Sequence, residues 1–282
     1  MLFFQVLASA LLLALSPTLT LSTQALPLRR LRVTLVRHGE SENNVLHEVS
    51  YDHYAENRFA DPPLTKLGID QCEALKSYFS SLRGEDGTCY SPLIKSITKV
   101  YASPFMRTLQ TAKAVGEGIG VDVRIWRGIH EVGGCYDKED GIGGFTKEDI
   151  LRDYGFSVAQ DVGDNWEEGG AWYKRGGRET REQALERIGK VVEVLRGKAK
   201  SCEDEGKDES ILLVCHGDFI DYFLSTLFRL PSAGDQTKSV FRCYNCSMSC
   251  LDIFSDGKVA LLFHNDVEYL GRHVKKEKLG IV

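Results

Sequence analysis

Two short runs in this 282-residue chain set an imidazole beside a glycine: Arg37-His38-Gly39 and Cys215-His216-Gly217. Each follows an apolar stretch, residues 31–36 (LRVTLV) and 211–215 (ILLVC), of the kind that forms a buried strand. A strand that ends in His-Gly delivers its histidine to the carboxyl edge of a sheet, where open α/β sheets bind ligands. The glycine lets the backbone turn close to whatever is bound. A third run, residues 101–108 (YASPFMRT), sets Arg107 in the first turn of a helix, where free N–H groups and the helix dipole already favour an anion. The guanidinium forks of Arg37 and Arg107 match phosphate oxygens. A single histidine after a strand is usually a packed residue, and a single arginine in a first helical turn is usually solvated. Two histidines in the same setting, with two arginines, point instead to a shared phosphate site.

The elements that must position these side chains follow from the apolar pattern. Strands are expected at residues 31–36, 97–102, 121–126, 211–215, 247–254 and 258–264. Helices are expected from a Thr65 cap to about residue 82, from a Ser103 cap with Pro104 first and onward towards 116, near 146–154, over 180–196 and over 218–230. Residues 47–59 read as irregular, and 201–209 as a charged solvated loop. Strands alternating with helices give an α/β fold: a three-layer wound, mostly parallel sheet with helices on both faces. The Gly-, acid- and aromatic-rich segment from about 128 to 178 reads as an inserted loop and helix subdomain over the active site. Trp166, Trp172 and Tyr173 in it are core packing or pocket walls; Lys174, Arg175 and Arg178 are a solvated loop or readers of a second acidic group.

A net charge of −5 offers no basic field for nucleic acid, so any anion site must be local. Residues 1–28 form a hydrophobic leader ahead of a domain spanning 29–282. The apolar run at 2–15, then Ser16-Pro17 and the spacing of Thr23 and Ala25, resembles a secretory leader without its basic flank. A membrane anchor held by Arg29, Arg30 and Arg32, or a plastid signal, competes with that reading. Membrane contact is expected only through this leader if it stays uncleaved. An oxidising compartment would let disulfides persist among the eight cysteines. Cys243-x2-Cys246-x3-Cys250 has metal-like spacing but no close fourth ligand, and its alternation favours a core or disulfide role. Asn245-Cys246-Ser247 is a formal glycosylation sequon.

Taken together, Arg37-His38-Gly39, the segment SPFMRTLQTA around Arg107, the acidic run Ile129-His130-Glu131-Val132-Gly133-Gly134, and Val214-Cys215-His216-Gly217 resemble the histidine phosphatase superfamily, also called the phosphoglycerate mutase-like family. The resemblance spans most of residues 31–270. It implies that His38 accepts the phosphoryl group covalently while Arg37, Arg107 and His216 hold its oxygens, with no metal or cofactor. Glu131 matches the family's acid, with Asp137, Glu139 and Asp140 as competing neighbours. Asn44 matches an additional phosphate contact, or is a capping residue. The sequence departs from the mutase members at Ala60-Asp61-Pro62-Pro63-Leu64, where they carry Gly-Trp-x-Asp, and at Glu131-Val132-Gly133-Gly134, where they carry Arg-His-Tyr-Gly. The resemblance therefore implies a phosphatase acting on a small phosphorylated substrate. A cofactor-dependent phosphoglycerate mutase and a non-catalytic binding protein on the same fold are the alternatives.

Overall fold

The computed structural model describes residues 28–83, 97–173, 176–231 and 240–272. In chain order its strands are β1 (Arg30–Arg37), β2 (Ile97–Ala102), β3 (Val123–Ile125), β4 (Tyr136–Asp137), β5 (Asp140–Gly141), β6 (Ser157–Val158), β7 (Glu209–Cys215), β8 (Met248–Phe254) and β9 (Val259–Asp266). Its α-helices are α1 (Glu42–Val49), α2 (Tyr51–Asn57), α3 (Lys66–Ser81), α4 (Met106–Ile119), α5 (Lys147–Tyr154), α6 (Arg181–Asp204) and α7 (Gly217–Leu227). One sheet runs β6-β3-β2-β7-β1-β8-β9, and the small hairpin β4-β5 stands apart. The first five strands of the sheet are parallel, and β8 and β9 are antiparallel to their neighbours.

The alternation of the central strands builds two cores. Leu31, Val33 and Leu35 of β1 join Ile211 and Leu213 of β7 on one face, covered by Ile188, Val191 and Leu195 of α6 and Phe219 and Phe223 of α7. Val36, Leu212 and Val214 face the other way, beneath Cys72, Leu75 and Phe79 of α3 and Leu109, Ala112 and Val115 of α4. This is the expected three-layer α/β arrangement.

Register decides where the chemistry stands. Arg37 pairs with Cys215, and Ala102 of β2 pairs with Val214, so β1, β2 and β7 end level. Each next residue is then held by the ladder: His38 N–H donates to Cys215 O at 3.0 Å and Ser103 N–H to Val214 O at 3.0 Å. The turn after His38 presses backbone to backbone on α3. A Cβ at Gly68 would lie 2.0 Å from Glu40 O, and one at Gly39 would lie 2.7 Å from Gly68 O. Only glycine admits that approach.

Several elements differ from the sequence expectation. Residues 47–59 are not irregular, because α1 and α2 occupy most of them. Neither helix buries a side chain, so no apolar stripe announces them. Their start signals are polar: Ser41 N–H donates to Asn44 Oδ1 at 3.0 Å, and Ser50 Oγ accepts from His53 N–H at 3.0 Å. Helix α6 continues to Asp204 because Leu195, Ala199 and Cys202 extend its buried stripe. Ser103 does not cap α4; Asp61 Oδ1 accepts from Met106 N–H at 2.8 Å in that role, and the helix ends at left-handed Gly120. Trp166, Trp172 and Tyr173 are core residues, and the segment about 128–178 also contributes β6 to the edge of the main sheet.

Seven cysteines, Cys72, Cys135, Cys202, Cys215, Cys243, Cys246 and Cys250, are buried free thiols, which leaves them a packing role; Cys89 lies outside the described residues. Among the described residues no cluster of three or more His, Cys, Asp or Glu is placed to hold a metal ion, and no helix is long and apolar enough to cross a membrane. The leader lies almost wholly outside the described residues. Gly68→Ala is expected to lower stability by about 2 kcal/mol through overpacking, read by denaturant titration, with activity falling as α3 and the Gly39-Glu40 turn are pushed apart.

Candidate active site

His38 sits just beyond β1, buried at 3 % exposure. Its Nδ1 lies 2.6 Å from Gly39 O. A carbonyl only accepts, so Nδ1 carries the proton and Nε2 keeps its lone pair. Arg107 Nε–H donates to that Nε2 at 3.2 Å. Burial, then the charges of Arg107 and Arg37, hold the imidazole well below its ordinary pKa. The ring is therefore neutral, with one nitrogen fixed and the other available as a nucleophile.

Three further groups brace this residue. His38 O accepts from Cys246 N–H at 3.2 Å and from Asn245 Nδ2 at 3.1 Å. Gly39 N–H donates to Thr111 Oγ1 at 3.1 Å, and Thr111 Oγ1–H donates to Arg107 O at 2.8 Å, so one hydroxyl ties the turn after His38 to the helix that carries Arg107. Asn245 is wholly buried in this network, which removes it as a glycosylation acceptor. The sequence reading missed Asn245 and Thr111. For Thr111 a signal existed, since it stands one turn after Arg107 on the same helix face.

The two arginines are buried without a carboxylate partner among the described residues. Arg37 Nη1 donates to Cys243 O at 2.5 Å while its Nε has no partner. Arg107 also lies 4.2 Å from the Phe105 ring centroid. Burial lowers both pKa values from the ordinary arginine value, and nearby Glu131 partly offsets it. His216 is fully buried, its ring centroid 5.2 Å from that of His38. Its Nε2 is 2.7 Å from Ser103 Oγ, and its Nδ1 has no partner. Burial, then Arg107, keep this imidazole neutral as well.

A cavity of about 240 Å³ opens in front of this group. Arg37, His38, Asn44, Arg107, Glu131 and Asp218 line it, whereas His216 stands behind the wall. Glu131 Oε1 accepts from Val132 N–H and Phe219 N–H, both at 2.9 Å. Burial, then the like charge of Asp218, push its carboxyl up to about 7 against the pull of Arg107 and these two bonds. Of the competing neighbours, Asp137, Glu139 and Asp140 do not line the cavity. Asn44 takes the capping role, as the residue that closes the box with Ser41 at the start of α1. Its Oδ1 accepts from Ser41 and from Asn245 Nδ2 at 3.3 Å, while the residue lines the cavity and its own amide nitrogen makes no hydrogen bond among the described residues. At the outer rim Arg58 and Arg178 lie 3.7 and 5.0 Å from the Tyr136 ring centroid. Lys174 and Arg175 lie outside the described residues.

Comparison with known proteins accords with this geometry. The family model for "Histidine phosphatase superfamily (branch 1)" matches residues 33–266. "Phosphoglycerate mutase-like protein 1" of Arabidopsis thaliana is 39% identical over 95 residues, which is 33% of this chain and only 30% of that protein. "Probable phosphoglycerate mutase GpmB" of Cronobacter sakazakii is 25% identical over 225 residues, covering 79% of this chain and 85% of its own. Among solved structures, the mycobacterial glucosyl-3-phosphoglycerate phosphatase Rv2419c superposes with a TM-score of 0.52 at 21% identity, covering 85% of this chain and 100% of its own. YhfR of Bacillus stearothermophilus gives 0.52 at 19% identity, with 85% and 99% covered. At these identities the structures share the fold.

The raised carboxyl of Glu131 has a stability consequence. Between its ordinary pKa of 4.5 and about 7 the folded protein binds a proton that the unfolded chain does not. Stability from this group thus falls as pH rises through that window and stays low above it. Glu131→Gln keeps the Oε1 acceptor and removes the charge, so it should raise the melting temperature at pH 8 and have little effect at pH 4, measured by calorimetry.

Proposed function

This chain belongs to the histidine phosphatase superfamily, and from that premise we propose that it is a phosphomonoester hydrolase working through a phosphohistidine on His38. The observation that carries the reading is the Gly39 O contact, which fixes the tautomer of His38 and leaves Nε2 as a neutral nucleophile between two guanidinium groups. In the first step Nε2 attacks phosphorus in line, the N–P bond forms, and the ester P–O bond breaks. Arg37 and Arg107 hold the non-bridging oxygens. His216 does not line the cavity; fully buried, it packs its ring against that of His38 with Nε2 on the Ser103 hydroxyl. Asn44 adds its amide N–H from the cavity wall.

Glu131 gives its proton to the leaving oxygen, for which a pKa near 7 suits neutral pH. It then takes a proton from the water that attacks the phosphohistidine, and the N–P bond breaks with release of phosphate. The reacting groups are side chains throughout, so the scheme calls on no metal. The substrate is a small phosphorylated molecule entering a cavity of about 240 Å³. Arg58 and Arg178 at the rim supply a place for a second acidic group on it, a feature that also favours the mutase as a second reading.

His38→Ala should abolish both turnover and phosphohistidine labelling, and turnover that survived it would refute the mechanism. Incubation with an aryl phosphate and with 3-phosphoglycerate separates the two readings. Phosphate release is expected to dominate; isomerisation outrunning it would overturn the hydrolase. As the acid in the first step, Glu131 should make kcat/KM fall as pH rises above about 7, and Glu131→Gln should lower kcat/KM by about 100-fold for an alkyl phosphate.

A further inference from the structure

Glu131 does not stand on the sheet. It follows a 3-10 turn, Arg127–Ile129, in a segment that must be held at the right height by something else. Phe219 N–H of α7 holds the carboxylate itself, and the backbone on either side is held by Glu179, just before α6, and Arg187 on α6. Arg187 Nε donates to Glu179 Oε1 at 2.9 Å and Nη2 to Glu179 Oε2 at 2.7 Å, while Nη1 donates to Gly128 O at 2.8 Å and His130 O at 3.0 Å. One planar fork thus spans the carboxylate and the two carbonyls before Glu131. On the far side, Glu179 N–H donates to Gly133 O at 2.8 Å. The same residue that anchors the fork also fixes the chain two residues past the acid.

The pair is built to be rigid. The Glu179 side chain is fully buried and that of Arg187 is 11 % exposed. Burial alone would raise the Glu179 carboxyl, yet the fork from Arg187 holds it well below the carboxylate range. His130 Nδ1 donates to Arg127 O at 2.6 Å, and its Nε2 stands 3.4 Å from Glu179 Oε1. Arg127 in turn bonds Asp164 through both its backbone N–H at 2.6 Å and its Nε at 2.7 Å. None of Glu179, Arg187 or Asp164 lines the cavity in front of His38. A buried ion pair adds little net stability over apolar packing of the same volume, so stability alone gives no reason for this one.

We infer that the Glu179–Arg187 pair is a positioning device for the acid: it clamps residues 128–133 so that the Glu131 carboxyl meets the leaving oxygen at the His38 phosphoryl site. This rests on the reading of Glu131 as general acid. A lysine at 187 would keep the charge but lose the fork, which needs planar donors on three nitrogens.

The test is a series of phosphate monoesters with leaving groups from p-nitrophenol to simple alcohols, with kcat/KM measured for wild type, Arg187→Lys, Glu179→Gln, Glu131→Gln and the double variant Glu131→Gln/Arg187→Lys. The quantity kcat/KM reports the step that forms the phosphohistidine, and the acid matters most when the leaving group is poor. A misplaced acid should cost about 100-fold for alkyl esters and only a few-fold for p-nitrophenyl phosphate, steepening the dependence on leaving-group pKa. In the double variant Arg187→Lys should add no further steepening, because the acid is already gone. If Glu131→Gln steepens the series but the folded Arg187→Lys and Glu179→Gln proteins lower every ester by the same factor, the clamp is refuted while the acid stands. If Glu131→Gln itself leaves the slope unchanged, the acid reading fails and the clamp with it. Glu179→Gln keeps the shape of the pair, so it carries the test if Arg187→Lys does not fold.

Discussion

The parallel pairing of β1 with β7, in the register that sets Arg37 opposite Cys215, is the constraint on which the site depends. Side chains alternate along a strand, so a slip of one residue would turn each strand's core residues to the wrong layer. Leu31, Val33 and Leu35 on one face and Val36 on the other therefore lock the register by burial. Once locked, the next residues on the two strands, His38 and His216, emerge as neighbours. Their ring centroids lie 5.2 Å apart with no direct hydrogen bond between them. Hydrophobic packing thus sets the geometry of a polar site.

Within that geometry the electrostatics are one-sided. Two buried guanidinium groups and burial itself keep both imidazoles neutral. For His216 the result is a ring with one nitrogen committed to Ser103. For His38 it is a lone pair on Nε2, directed by a carbonyl at the opposite nitrogen. The same burial that lowers the histidines raises Glu131, so base and acid are separated by one environment acting on groups of opposite charge type. A chain with net charge −5 nonetheless concentrates cations at this cavity, which no composition figure reveals.

What was legible in the sequence follows from where burial is strong. The central strands and helices α3, α4, α6 and α7 bury apolar stripes with clear periodicity, and His38, His216, Arg37 and Arg107 stand at element ends, so both could be read together. Helices α1 and α2 bury nothing and left no such trace. Ser103-Pro104 carries the signature of a helix start, yet tertiary context overrides it: Asp61, 45 residues before the Met106 it caps, takes that role and Ser103 is turned to His216. The part Asn245 plays was not legible for a similar reason. A sequon is a local pattern, while its burial beneath His38 depends on a contact across 207 residues. Trp172 and Tyr173 could be placed in either core or pocket from spacing alone, and only the packing of His130 against both resolves them as core.

The proposed nucleophile and the proposed acid are carried by mechanically different supports. His38 belongs to the ladder of the sheet, where neighbouring strands fix its backbone on both sides. Glu131 belongs to a glycine-rich segment with no strand of its own, in which Gly133 and Gly134 both adopt left-handed φ. Such a segment has many accessible conformations, and its order has to come from side chains reaching in from elsewhere. Arg187 and Glu179 supply that order from the start of α6, the helix that also covers β1 and β7. The acid is thus referred to the same sheet as the nucleophile, but through a helix and an ion pair instead of a backbone ladder. Substitutions in the sheet core should therefore move both groups together, whereas changes at the α6 terminus should move the acid alone, and the relative placement of the two is where a fold of this kind can be adjusted without disturbing its centre.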